Sequence, residues 1–216
     1  MPDLCPLCSS SKTDIFHSLT NRSGRKDFCL CSECDLIFVP SAYHPSEEDE
    51  IKRYELHRNT PDDEGYRNFL NGFAESLIPF LKKNTHGLDY GCGPYPLLAE
   101  ILKSRSLSVD IFDKYFFNDP VLLKKQYGFI TCTETIEHFR DPGKEFDRLD
   151  SILQAGGHLG IMTGILEDRE DFAGWHYIQD ITHLAFYSMK TFEWIGQNYN
   201  WEIVLFRDDI VIFRKN

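Results

Sequence analysis

The sequence predicts an α/β fold, a mostly parallel sheet covered by helices on both faces, with a small cysteine-bearing unit in front of it. Three observations carry this expectation. Short apolar runs alternate with helix-like segments from about residue 87 to residue 213. The first of these runs opens into a glycine turn, Gly91-Cys92-Gly93-Pro94, and the second ends in an acid, Asp113. Two Cys-x2-Cys pairs lie within the first 34 residues. The chain divides accordingly into residues 1–44 and residues 45–216.

In the first unit, Cys5-Pro6-Leu7-Cys8 and Cys31-Ser32-Glu33-Cys34 are separated by 22 residues. Two tight knuckles of this kind deliver four thiolates in pairs, as a tetrahedral Zn2+ site requires. Cys29 competes with Cys31, but Cys31 keeps the knuckle spacing. Phe28 and Leu36-Ile37-Phe38-Val39-Pro40 read as short strands beside the metal, so the unit resembles a zinc ribbon. With Cys5, Cys8, Cys31 and Cys34 filling every position, the metal is expected to be structural. Four basic and five acidic residues up to residue 40 nearly cancel, unlike a nucleic-acid-binding ribbon.

From Pro45 onward the pattern turns helical. Glu47-Glu48-Asp49-Glu50 reads as a solvated linker or a first helical turn. Phe69, Phe73, Leu77, Ile78, Phe80 and Leu81 suit an amphipathic helix. Tyr54, His57, Asn59 and Tyr66 lie upstream of it, and Tyr66 is a candidate either to line a site or simply to pack. A strand is expected at 87–90, a helix from Pro96 to Lys103, and strands at 107–112, 128–132 and 158–163. A final pair, 201–206 and 210–213, turns at Arg207-Asp208-Asp209 and would supply an antiparallel edge.

A chain of 216 residues has room for one α/β domain and an appendage. No apolar run approaches the roughly 20 residues of a membrane span, and the N-terminus lacks the basic start and apolar block of a signal peptide. The expectation is a cytoplasmic protein with reduced cysteines. A net charge of −11 disfavours a nucleic-acid partner.

The glycine turn lets backbone approach a ligand, and a carboxylate at the tip of the next strand can accept both hydroxyl hydrogens of a ribose. A nicotinamide dinucleotide is disfavoured, because Pro94, Tyr95 and Pro96 stand where a pyrophosphate-binding turn needs a third glycine. The run Asp89-Tyr90-Gly91-Cys92-Gly93-Pro94 resembles motif I of the class I S-adenosylmethionine-dependent methyltransferases. Thr131 to Pro142 resembles their fourth strand and the motif after it, Leu153 to Leu159 the turn into the fifth strand, and Asp180 to Ser188 the segment before the last helix. The resemblance implies a Rossmann-like sheet, S-adenosylmethionine as cofactor, and methyl transfer. It implies that Asp89, Tyr90, Gly91, Gly93 and Thr133 contact the cofactor, and that Asp113 holds its ribose. Two departures stand out. Tyr95 replaces a common glycine, and only about fifteen residues separate Asp113 from the strand at 128, so the third strand and its adenine-reading acid are shortened. Asp119 is a weak stand-in for that acid.

Glu134, Glu137 and His138 have the spacing of one helical face. Together with His183 they resemble the Mg2+ ligands of two metal-using branches, one acting on quinone precursors and one on RNA 3′ ends. In metal-free relatives the same segment shapes a loop, and both readings stay open. His176, His183 and His138 are candidate proton acceptors, with Asp180 as a candidate orienter. The resemblance extends to zinc-ribbon sugar C-methyltransferases, and the expected acceptor is a small molecule, a sugar or other secondary metabolite. Two alternatives are an RNA 2′-O-methyltransferase and a non-catalytic zinc module that binds a protein.

Overall fold

A computed structural model describes residues 3–21, 24–56 and 63–216; His57 and Asn59 lie outside the described residues. The N-terminal part holds strands β1 (Thr13–Asn21), β2 (Gly24–Cys31) and β3 (Ile37–Phe38). Helix α1 (Glu47–Glu55) starts where the Ser46 side chain accepts from Asp49 N–H, and α2 (Glu64–Leu77) where Asp63 does the same for Tyr66. Then follow β4 (His86–Tyr90), α3 (Leu97–Ser104), β5 (Ser108–Phe112), β6 (Tyr127–Thr133), α4 (Pro142–Ile152) and β7 (Leu153–Met162). The last elements are β8 (Ala185–Phe186), α5 (Met189–Tyr199), β9 (Trp201–Arg207) and β10 (Ile210–Lys215).

The main sheet has the order β5-β4-β6-β7-β10-β9. β5, β4, β6 and β7 run parallel, and β10 and β9 add the antiparallel edge that the sequence predicts. Strands buried on both faces send alternate side chains to opposite layers. Phe129 enters the layer built by α2 and α3 with Phe73, Leu77 and Leu102. Its neighbour Ile130 enters the other, with Phe146 and Leu149 of α4 and Phe192 of α5. The shortened middle is real: after β5 the chain makes a bridge between Asp113 and Phe117 and one 3-10 turn, Leu122–Lys124, before β6. β5 is therefore the sheet edge.

The N-terminal sheet is completed from far along the chain. Its order is β1-β2-β3-β8, with Ile37 opposite Phe186 and Phe38 opposite Ala185. Val39 N–H donates to Leu184 O at 2.8 Å, and Gly143 N–H, at the start of α4, donates to Pro6 O at 2.9 Å. Cys5, Leu7, Leu36 and Phe38 belong to the same buried cluster as Phe146 and Tyr187.

Candidate active site

The carboxyl ends of β4, β5 and β6 open onto a cavity of about 770 Å3. Gly91 and Gly93 both hold positive φ, +77° and +65°. Gly91 N–H donates to Phe112 O at 2.8 Å, which closes the turn against the end of β5. A side chain at Gly91 would put its Cβ 2.2 Å from Thr135 Cγ2. At Gly93 an added Cβ would meet nothing within 4 Å, so this stretch of backbone stays open to a ligand. Asp113 is buried at the tip of β5 and is held by backbone. Its Oδ2 accepts from Gly93 N–H at 3.0 Å, and its Oδ1 from Tyr115 and Phe116 N–H at 2.8 and 3.1 Å. An ionised carboxylate has about four acceptor positions, so room remains for hydroxyl donors. Asp89 is buried beside the turn and accepts from Thr131 Oγ1 at 2.8 Å; burial raises its pKa to about 6. Thr133 lines the same cavity.

The same cavity is lined by an acid and two histidines, Glu137, His138 and His183. Ile136–His138 is a 3-10 turn after β6. Glu137 is fully buried, and its oxygens accept from Tyr177 OH at 2.6 Å and Thr163 Oγ1 at 2.9 Å. His138 Nδ1 lies 3.0 Å from Thr182 O, and His183 Nδ1 lies 2.8 Å from Tyr177 O. A carbonyl only accepts, so the hydrogen-bond network assigns the proton to Nδ1 in both rings and leaves each Nε2 a bare acceptor. The rings meet edge to face at 4.9 Å. Burial, and then the neighbouring His138, lower the His183 pKa to about 4, so His183 is neutral near pH 7. Helix α1 roofs this group: Tyr54 packs edge-on against His138 at 5.2 Å, and the buried Glu50 accepts from Arg140 at 2.7 Å and from the Tyr115 hydroxyl.

Residues 63–205, more than half of the chain, match the family model described as a methyltransferase domain. The chain belongs to the methyltransferase-domain family. Its fold is similar to that of a SAM-dependent methyltransferase from Archaeoglobus fulgidus, with a TM-score of 0.54 and 16% identity, covering 69% of this chain and 94% of that one. It is also similar to an O-methyltransferase family protein from Burkholderia thailandensis, with a TM-score of 0.52 and 12% identity over 77% of this chain. The match spans 63% of the Burkholderia chain. No curated protein matches the sequence.

In this methyltransferase, Asp89, Tyr90, Gly91, Gly93, Asp113, Thr133, His138 and His183 all line one cavity. His176 does not join them. It is exposed on a short 3-10 turn, His176–Gln179, whose buried side is formed by Tyr177 and Ile178. The four-residue Mg2+ set is not assembled either. Glu137, His138 and His183 converge with ligand atoms within 4.8 Å of one another, without Glu134. The reason is local: Glu134 has a left-handed φ of +48°, so no helix starts there and the helical spacing does not apply. Glu134 lines the cavity instead, with its residue exposed to solvent. Among the described residues Asp180 hydrogen-bonds to no histidine; it pairs with Arg53 at 2.6 Å and holds Thr182, whose carbonyl meets His138. Asp119 is exposed and accepts from Val121 N–H at 3.0 Å. The sequence reading missed Glu50, Arg140, Glu145 and Arg148 as cavity-lining charges, three of them on helices and Arg140 in the bend before α4. The only signal for Glu145 and Arg148 was their i,i+3 spacing on a helix.

The second cluster lies in the N-terminal part. Cys5 Sγ is 3.5 Å from Cys34 Sγ, Cys8 Sγ is 3.5 Å from Cys31 Sγ, and all four sulfurs lie within 4.8 Å of one another. Tetrahedral zinc with Zn–S bonds near 2.3 Å separates its sulfurs by about 3.8 Å, so the donor set fits that ion. Cys29 is buried and stays outside the cluster.

Proposed function

We propose that this methyltransferase moves the methyl group of S-adenosylmethionine to an oxygen, nitrogen or carbon nucleophile of a small molecule, and that the four-cysteine cluster holds structural Zn2+. The observation that carries the reading is the single cavity in which the open Gly93 backbone and the Asp113 carboxylate face the bare Nε2 atoms of His138 and His183. Bound cofactor would supply an electrophilic methyl group on a sulfonium: the acceptor nucleophile would bond to the methyl carbon as the S–CH3 bond breaks, with S-adenosylhomocysteine leaving as the neutral thioether. Asp113 takes the ribose hydroxyl hydrogens, while Gly91, Gly93, Tyr90 and Thr133 shape the rest of the cofactor wall. Asp89 sits behind the turn, where its carboxylate orients the loop and offsets the cofactor's positive charge.

His138 is the proton acceptor in this reading. Its side chain is 17% exposed, against the buried and neutral His183, and Glu137 Oε1 lies 4.0 Å from its Nε2. The carboxylate therefore balances the imidazolium that forms when the acceptor gives up its proton. His183 fixes the ring by edge-to-face contact. A small-molecule acceptor is supported by the roof that α1 places over the cavity and by the net charge of −11, which disfavours RNA.

The test is calorimetric titration of the zinc-loaded protein with S-adenosylhomocysteine, alongside Asp113→Asn and Asp113→Ala. Binding that weakens tenfold or more, about 1.4 kcal/mol, in variants that keep the wild-type circular dichroism supports the site. A folded wild-type protein that binds nothing would sink the enzyme reading and favour a module that docks a protein through its ribbon.

A further inference from the structure

The same cavity is lined by Tyr90, Phe112, Leu123, Phe139, Glu145 and Arg148. Resting on the methyltransferase reading, we propose that Glu145 and Arg148, braced by the Tyr90 hydroxyl, read the edge of the cofactor's adenine in place of an acid at the end of a third strand.

Among the described residues no strand lies outside β5, and the acid in the shortened middle, Asp119, is exposed with an oxygen spent on Val121 N–H. The aromatic lining of the cavity is instead suited to a flat heteroaromatic ring. Tyr90 and Phe112 stack with centroids 5.1 Å apart at 23°, Phe139 stands edge-on to Tyr90 at 6.3 Å, and Leu123 completes the apolar slot. At its polar end, Arg148 Nη1 donates to both oxygens of Glu145 at 2.6 Å and to Tyr90 OH at 2.9 Å. The Tyr90 hydroxyl in turn donates to Glu145 Oε2. Among the described residues, every hydrogen bond of this guanidinium runs through Nη1, so Nη2 and Nε remain as donors. The Glu145 carboxylate keeps acceptor capacity on Oε1. The side chains are 23% and 39% exposed, so the pair is partly desolvated yet reachable from the cavity.

The chemistry is complementary. An adenine edge presents an exocyclic N–H donor beside a ring-nitrogen acceptor. Glu145 presents an acceptor beside the donors of Arg148, and an acid–base pair held in fixed geometry reads such an edge in two contacts. Hypoxanthine carries a carbonyl where adenine carries the amine, and that oxygen would face the Glu145 carboxylate with no hydrogen between them.

The experiment compares S-adenosylhomocysteine with S-inosylhomocysteine on the full chain by calorimetry. The wild type should prefer the adenine compound by about tenfold or more, the range of one well-placed two-contact reading. In Glu145→Gln, whose amide donates as well as accepts, the preference should shrink to within about threefold. Arg148→Gln, which removes the guanidinium donors that meet the ring nitrogen, should weaken binding of the adenine compound. A wild type without preference, or a Glu145→Gln variant that keeps the wild-type ratio, overturns the assignment. A folded protein that binds neither compound overturns the methyltransferase reading itself, a separate failure.

Discussion

Gly91 and Gly93 stand two positions apart with nearly the same left-handed backbone, yet their substitution should fail in different ways. An alanine at 91 adds the left-handed strain of about 1–2 kcal/mol to a methyl group 2.2 Å from Thr135 Cγ2. The total loss of stability should be about 2–4 kcal/mol. An alanine at 93 adds the strain alone, because its methyl would project into open cavity. Gly93→Ala should therefore be destabilised only by that strain of about 1–2 kcal/mol while losing S-adenosylhomocysteine affinity tenfold or more, and paired melting and titration would separate the two variants. Equal melting temperatures for both would show that the Thr135 contact relaxes. His183 makes a second residue-scale prediction. Its folded pKa of about 4 lies below the ordinary 6.5, through burial first and His138 second, with Glu137, Asp180 and the Tyr177 carbonyl pulling the other way. The unfolded chain takes up this proton first, so the stability is whole above pH 6.5 and is lost as pH falls towards 4. Asp89 runs opposite, since its raised pKa of about 6 favours the folded state as pH falls through the same window. The informative measurement is thus a difference. Urea denaturation of wild type and His183→Gln at pH 7 and pH 4 should show the variant gaining on wild type by about 3 kcal/mol, and parallel curves would show that His183 is not held neutral.

At the scale of elements, the N-terminal sheet and the active site share β8. β3 follows directly on the Cys31–Cys34 knuckle and pairs with β8, and Leu184, just before β8, donates to Glu137 O at 2.7 Å. Asp35, directly after the knuckle, accepts from Ser188 Oγ at 2.6 Å, and Ser188 caps α5. Removing zinc from a loaded protein should therefore do more than loosen the knuckle. Chelation should lower the melting temperature by about 5–10 °C, a few kcal/mol for a chain of this size. Hydrogen exchange should rise at residues 184–187 as well as at 31–39. Faster exchange confined to the knuckle would show that β8 is held by the main sheet alone. This link explains what the sequence could and could not disclose. The knuckles, the glycine turn and Asp113 depend on spacings inside one short segment, so they are legible residue by residue. The β3–β8 pairing joins two-residue strands about 150 positions apart, and no local pattern marks it. Glu134 misled for the complementary reason: its spacing from Glu137 and His138 suggests a helix, and one left-handed residue cancels it.

Across the whole molecule, α1 ties the rim of the cavity together, although its acidic start reads as a solvated run. Glu47 pairs with Lys114 after β5, Glu50 with Arg140 after β6, and Arg53 with Asp180 before β8, each within 2.7 Å. The pairs are not equal. Glu47 and Lys114 are 65% and 56% exposed, and such a pair couples by less than about 1 kcal/mol. The Glu50 side chain is 4% exposed and also takes the Tyr115 hydroxyl, so removing Arg140 leaves a buried carboxylate without its cation. Breaking a buried pair costs about 3–5 kcal/mol, and because Arg140 itself is 37% exposed, water recovers part of that; a loss of about 2 kcal/mol is expected. Glu50→Gln keeps the shape and removes the charge, so the double variant Glu50→Gln/Arg140→Ala should recover most of the loss. A double-mutant cycle by denaturation should give a coupling near 2 kcal/mol for Glu50–Arg140 and below 1 kcal/mol for Glu47–Lys114. The functional side follows from position: Glu50 and Tyr54 line the cavity and Tyr54 packs on His138. Arg140→Ala should therefore speed S-adenosylhomocysteine dissociation, while Lys114→Ala leaves it within about twofold of wild type. Equal coupling energies for the two pairs, with dissociation unchanged in both variants, would mean that α1 is seated by its apolar contacts and that the ion pairs only decorate the roof.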